Sequence, residues 1–298
     1  LSWYKTGEMN NIRETIPTTQ HSFSDLLNKP IEIYVFIDPL CPECWSLEPI
    51  IKKLMIEYGQ YFTIRPIISG NLTSINAHSN QKTAELAKGW NLTLQNSQSC
   101  KEIKWPEDSI CAPWMTALAI KAAELQGRKA GMKFLRKVQE ALFIGKQNIS
   151  SEEVFFSCAS KVHLDMGEFK QDIHSDTAKR ALQCDLTLTH EMDIDQTPAI
   201  VLFNQRQDEE GIKITGSYPY SIYVEVLHAM LQKKPTAAQK PSLVDFLQHH
   251  EFVGTKEIAE IYDWTETKAI CEMKKLLLKQ QVEQHAAKHD TFWRYTGC

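Results

Sequence analysis

Two cysteines in this chain have the spacing for thiol chemistry. Cys41 and Cys44 bracket Pro42 and Glu43, and C-x-x-C lets one thiolate attack a disulfide while the second thiol resolves the adduct. Zinc and a chance pairing are the alternatives; zinc would need two further ligands, and the sequence holds no second C-x-x-C. Glu43 places a carboxylate beside Cys41, which is expected to raise the cost of a thiolate there. Trp45 reads as a packing residue next to the motif, with contact to a partner as the other reading. The remaining chemistry-bearing residues form no comparable group. Cys100 and Cys111 could pair across their loop but read as structural or incidental thiols, and Cys158, Cys184 and Cys271 fall on apolar helix faces and are expected in the core. His249-His250 and His285/His289, the latter four residues apart, read as solvated histidines, so no metal is expected. The sequons at Asn71, Asn91 and Asn148 read as chance.

The elements around the pair are legible. Residues 31–37 (IEIYVFI) are apolar and β-branched, the pattern of a buried strand, and Asp38-Pro39 break it. Leu47, Ile50, Ile51, Leu54, Met55 and Tyr58 then recur at helical spacing. Cys41 would stand at the N-terminus of that helix, where unpaired N–H groups and the positive end of the dipole favour a negative sulfur. Pro42 suits the first helical turn, whereas Pro49 is expected to kink the helix. A second strand is read at 61–68, turning at Ser69-Gly70-Asn71, and helices at 112–125 and 129–143, separated by Gly127. Capping boxes are expected at Ser150/Glu153 and Asp165/Glu168. Phe134, Phe143, Phe155, Phe156 and Trp114 read as core. Residues 197–203 and 212–214 read as a hairpin, followed by a helix at 221–231. This order predicts a mixed α/β sheet with a helical insertion rather than a helical bundle.

Composition sets outer bounds. The chain has 298 residues, 43% hydrophobic and 23% charged, with net charge −4, so it predicts about two domains and gives no electrostatic case for nucleic acid or an anionic membrane. No apolar run approaches the ~20 residues that span a bilayer. The opening residues, LSWYKTGEMNN, do not read as a signal peptide, and eight irregularly spaced cysteines are not a disulfide framework. A reducing cytoplasm is the expected compartment.

Residues 31–232 resemble the DsbA-type branch of the thioredoxin superfamily, on the C-P-E-C motif, the Thr197-Pro198 step before a strand, and the closing hairpin and helix. The resemblance implies an α/β thioredoxin-like domain with a helical insertion at about 78–190. It also implies that Pro198 is the cis-proline facing the cysteine pair, exposing backbone for a partner chain. Two departures stand out: the acid usually found six residues before the first cysteine is Val35 here, with Asp38 three before, and Glu43 stands where strong oxidants favour His. Residues 1–30 read as an N-terminal segment and the polar, Pro-bracketed stretch 233–241 as a linker. In residues 242–298, three short helices (the second and third capped by Thr255 and Thr265) and strands at Val282 and 292–295 resemble a winged helix-turn-helix. Seven Lys/Arg against nine Asp/Glu from Pro241 onward leave this part without the basic face that a duplex reader needs. A protein-facing role is expected instead.

Taken together, these features resemble the YjbH/SpxH family of Firmicute adaptors, which present the regulator Spx to the protease ClpXP. The resemblance implies a binding protein rather than an enzyme. Its expected partners are the C-terminal region of Spx and ClpXP, it needs no cofactor, and oxidative stress would lower its activity. The motif face, Pro42, Glu43, Trp45 and Thr197, supplies candidate partner contacts. The family's His- and Cys-rich N-terminal segment has only His21 to match it before Cys41, so zinc binding is not expected. The alternatives are a cytoplasmic thiol–disulfide oxidoreductase using Cys41 and Cys44, and a redox-sensing DNA regulator.

Overall fold

The computed structural model describes residues 2–4, 29–69, 113–149, 151–205, 211–287 and 290–297. The expectations placed on Asn71, Asn91, Cys100, Cys111, Ser150 and His289, and on most of residues 1–30, lie outside these. The described residues fall into two compact units, one built from 2–4, 32–45, 64–69, 113–149, 151–205 and 211–217, the other from 29–31, 46–63, 218–287 and 290–297.

The first unit is organised on a five-stranded sheet. Its strands are β1 (Ser2–Tyr4), β2 (Ile31–Ile37), β3 (Phe62–Ile68), β4 (Ala199–Asn204) and β5 (Gly211–Thr215), in the order β1-β5-β4-β2-β3. The expected hairpin is present: β4 and β5 pair antiparallel with Ala199 opposite Thr215 and Leu202 opposite Ile212. β1, which no pattern had announced, adds antiparallel to β5 with Ser2 opposite Lys213. Helix α1 (Pro42–Tyr58) follows β2 and continues unbroken through Pro49. One part of the core joins Tyr34, Phe36, Ile67, Val201 and Phe203 of the sheet to Leu188 and Met192. Tyr34 meets Phe203 edge-to-face with ring centroids 5.9 Å apart.

The insertion supplies α2 (Pro113–Leu125), α3 (Arg128–Phe143), α4 (Glu152–Lys161), α5 (Met166–Asp172) and α6 (Asp176–Glu191). Phe134, Phe155 and Phe169 are fully buried at its centre, while Trp114 and Phe156 pack at the margin. Asp165 caps α5 by accepting from the Gly167 and Glu168 N–H groups at 2.8 and 2.9 Å. At α4 the expected box is displaced: the N-cap is Ser151, whose hydroxyl donates to Glu153 at 3.4 Å instead of bonding the backbone. Between insertion and sheet lies a buried ion pair. Asp185 on α6 accepts from Lys121 Nζ of α2 and from the Ile68 N–H at the end of β3, both at 2.8 Å, and Lys121 also pairs with Glu124.

The second unit contains α7 (Tyr220–Leu231), α8 (Leu243–His250), β6 (Phe252–Gly254), α9 (Thr255–Tyr262), α10 (Glu266–Leu278), β7 (Val282–Ala286) and β8 (Thr291–Tyr295). The last three strands form an antiparallel sheet in the order β6-β8-β7, and its core gathers Phe246, Leu247, Ile258, Ile261, Met273 and Trp293. Thr265 caps α10 through the Lys268 N–H at 3.2 Å. Contrary to the expectation from sequence, Thr255 does not cap α9, because it is the first helical residue. Its hydroxyl donates to the Thr291 carbonyl at 2.8 Å and accepts from Trp293 Nε1 at 2.9 Å, so it is committed to the sheet. The N-cap is Gly254, and the missing cap side chain is supplied by Asp290, which accepts from the Lys256 N–H at 3.4 Å. A Cβ at Gly254 would lie 2.7 Å from the Asp290 carboxylate and 3.3 Å from Phe292. Gly254→Ala is therefore expected to cost about 1–3 kcal/mol, read as a lowered urea midpoint, by pushing Asp290 off the helix end.

Within this unit the residues read as a linker are bound to the last turns of α1. The Ala238 N–H donates to the Glu57 carbonyl at 2.7 Å, and the Thr236 N–H to the Tyr61 hydroxyl at 3.1 Å. Lys240 pairs with Glu57 at 3.0 Å and with Asp263. Lys52 reaches Glu257 at 2.5 Å, Lys53 reaches Asp263 at 2.5 Å, and Glu57 accepts from the Tyr220 hydroxyl at 2.6 Å. Helix α1 is thus polar on the side facing α9 because its charges are neutralised there, and not because that side meets water.

Candidate functional site

The cysteine pair stands where β2 ends. Asp38 closes the connecting turn twice, its carbonyl accepting from the Cys41 N–H at 3.0 Å and its carboxylate from the Leu40 N–H at 2.9 Å. Helix α1 then starts at Pro42, and the Trp45 N–H donates to the Cys41 carbonyl at 3.2 Å. Both thiols are free. Cys41 is half-buried, whereas Cys44 is 5% exposed. The Thr197–Pro198 peptide is cis, and the Thr197 carbonyl lies 3.9 Å from Cys41 Sγ. Residues that sequence reading singled out from opposite ends of the domain, 41–45 and 197–198, are thus brought to one place.

The two thiols are made unequal by their surroundings. Cys41 is held below the ordinary thiol range, first by the hydrogen bond it accepts from Cys44, with the backbone N–H groups of Cys44 and Glu43 assisting against burial and the charge of Asp38. Cys44 is pushed well above that range by burial, by donating to Cys41 and by the charges of Cys41 and Asp38. Burial raises Asp38 itself to about 6, against the Leu40 N–H. The charge of Asp38 opposes a Cys41 thiolate, and the Glu43 backbone N–H favours it.

Trp45 packs into the insertion. Its ring lies 5.6 Å from that of Phe143, and the Arg136 guanidinium sits over it at 3.9 Å. Arg136 is held in turn by Glu140 at 3.2 Å. Sequence reading missed Arg136 because a contact across some ninety residues leaves no local pattern. Of the proposed partner contacts, Pro42 is buried, while Glu43, Trp45 and Thr197 are half-buried.

The other cysteines divide. Cys158 is buried as expected and pushed up to about 11 by burial. Cys184 and Cys271 are exposed, against expectation. The buried face of α6 runs through Ala178, Leu182, Asp185 and Leu188, and that of α10 through Ala269, Met273 and Leu276, so Cys184 falls one residue and Cys271 two residues off the stripe, each turned away from it. His250 rests on Phe246 with centroids 4.5 Å apart, and His285 faces Phe252 at 5.7 Å. Among the described residues no group of three or more His, Cys, Asp or Glu is placed to hold a metal ion.

Comparison with known proteins adds to this geometry. The thioredoxin family model matches residues 34–225. A protein of Halalkalibacterium halodurans named ClpXP adapter protein SpxH is 49% identical over 273 residues, covering 90% of this chain and 89% of its own length. The Bacillus subtilis protein of the same name is 47% identical over 269 residues, covering 89% of each chain. Among solved structures, a Nitrosomonas europaea protein described as a candidate protein disulfide isomerase superposes with a TM-score of 0.57 at 18% identity, over 68% of this chain and 98% of its own, a likeness of fold.

Proposed function

Because this chain belongs to the SpxH family of ClpXP adapter proteins, within the thioredoxin-fold proteins, we propose that it is itself an adaptor, binding the regulator Spx and promoting its degradation by ClpXP. The observation that carries this is similarity running through both compact units, well beyond the thioredoxin-like domain alone. An adaptor needs no bond chemistry. By holding the C-terminal region of Spx in a form that the unfoldase engages, it raises the local concentration of substrate and removes part of the ordering cost of engagement. The half-buried rim of the motif face, Glu43, Trp45 and Thr197, is the surface we assign to partner contact. The adaptor works in the cytoplasm, and its activity falls under oxidative stress. Among the described residues no helix is long and apolar enough to cross a membrane.

The test is degradation of Spx by purified ClpXP with this protein, without it, and with Cys41→Ala/Cys44→Ala. At sub-saturating Spx, addition of the protein is expected to accelerate loss of Spx by on the order of ten-fold or more. The double variant is expected to accelerate it as well, the scaffold rather than the thiols making the grip. No acceleration by the wild type would overturn the adaptor reading.

A further inference from the structure

Helix α10 turns one face to the core and a contrasting one to solvent. Its inward stripe, Ala269, Met273 and Leu276, is buried among the core residues of the second unit. Outward, Leu278 is 86% exposed, about twice the value of any other exposed large apolar residue among those described. Ile270 and Leu277 are half-buried beside it, and spacings of three, four and seven residues set them with Lys274 on one side of the helix. Four exposed lysines frame this ridge: Lys268, Lys274, Lys275 and the C-cap residue Lys279. Lys268 lies over the Trp264 ring at 4.5 Å, and Lys275 is held by Glu272 at 2.6 Å. Among the described residues no carboxylate pairs with Lys274 or Lys279. The stretch from Pro241 onward has seven cations against nine anions, yet four of the seven gather here. Of the two acids of α10, Glu266 stands in the first turn, at the far end from Leu278, and Glu272 is tied to Lys275.

A helix face that meets only water carries charges of both signs and keeps its large apolar residues inward. Here one sign prevails and Leu278 stands out in solvent, continuous with Ile270 and Leu277. Charge selects the complement. Two copies of the face would set lysine against lysine. A nucleic-acid duplex would lay phosphates across Leu277 and Leu278, where no cation meets them. An acidic helix with its own apolar stripe matches both features, since helix recognition pairs an apolar seam with opposite charges along its flanks. We propose that the outward face of α10 is a docking surface for an acidic amphipathic helix of a partner protein. Apolar residues of that helix cover Ile270, Leu277 and Leu278, and its carboxylates pair with Lys274 and Lys279. This surface belongs to a different unit from the motif rim, and its assignment does not rest on the adaptor reading.

The experiment uses the purified chain and a fluorescein-labelled synthetic helix of Glu, Ala and Leu, with Leu at every third or fourth position, followed by anisotropy. A peptide of the same composition with its Leu residues scattered is the control. The patterned peptide is expected to bind saturably, and the scattered one on the order of ten-fold more weakly. Added salt is expected to weaken the patterned peptide's binding. Leu278→Ser and, separately, Lys274→Glu/Lys279→Glu are each expected to weaken that binding on the order of ten-fold, with an unchanged urea midpoint showing an intact fold. No saturable binding of the patterned peptide, equal binding of the two peptides, or variants that bind like the wild type would overturn the proposal. A random-sequence DNA duplex that binds more tightly than the peptide and is released by Lys274→Glu/Lys279→Glu would overturn it too. So would a dimer in sedimentation that Leu278→Ser dissolves. The comparison of the two peptides on the wild type is readable even if a variant fails to fold.

Discussion

Asp185→Ala is expected to cost the fold about 3–5 kcal/mol, the range for removing one partner of a buried ion pair. Asp185 is 3% exposed and Lys121 5% exposed, so neither can turn to water when the other is lost. Burial alone would lower the Lys121 pKa, but the charges of Asp185 and Glu124 override it and hold the amine above its ordinary value. Without Asp185 the amine keeps only Glu124, itself raised by burial, and the Ile68 N–H loses its acceptor. Urea unfolding at pH 7 should show a large drop in midpoint with an unchanged slope. Asp185→Asn, which retains an oxygen for Ile68 but no charge, should fall between that variant and the wild type.

Lys53→Glu is the second severe change. Lys53 is 4% exposed, pairs with Asp263 and Glu260, and places its amine 4.3 Å from the Tyr220 ring centroid. A carboxylate in its place would face Asp263 and Glu260 and stand one helical turn from Glu57, with no cation released to it. A loss of about 3–5 kcal/mol is expected. Lys53→Met should cost less, because Asp263 is largely exposed and retains Lys240. The gap between the two variants isolates charge from packing. Trypsin sensitivity of residues 232–241 gives an independent readout, since their bonds to Glu57, Gln60 and Tyr61 depend on α1 keeping its place.

These two positions also mark where sequence reading stops. Strands at 31–37 and 199–204, the helix behind the C-x-x-C pair and the helices of the insertion were legible because apolar residues recur at intervals of about two and 3.6. The partnership of residues 41–45 with 197–198 came from resemblance to a known domain, not from periodicity. Lys53, Lys121 and Asp185 gave no signal. A charge inside a helix reads as solvated until its counterion is known, and these counterions lie 64 and 210 residues away. β6 escaped because three residues, Phe252–Gly254, are too few to show alternation. The opposite fault placed Cys184 and Cys271 in the core, since an apolar residue near a buried stripe is not thereby on it. Around Cys41 the sequence did not show that Asp38 opposes the thiolate or that the Glu43 backbone N–H favours it, because both depend on how the turn folds about the sulfur.

The strand order β1-β5-β4-β2-β3 also constrains the timing of folding. Ser2 pairs with Lys213, and β2 lies beside β4, so the sheet joins segments separated by well over a hundred residues. At ribosomal rates of about 5–20 residues per second, roughly 10–40 s pass between synthesis of the first strand and the last. For most of that interval the apolar β2 has no β4 to pair with, and the early strands present open edges to other chains. Closure of such distant pairs is slow even after release. The yield of folded protein in the cell is therefore expected to depend on holding β2 and β3 apart from other chains until Gly211–Thr215 has emerged.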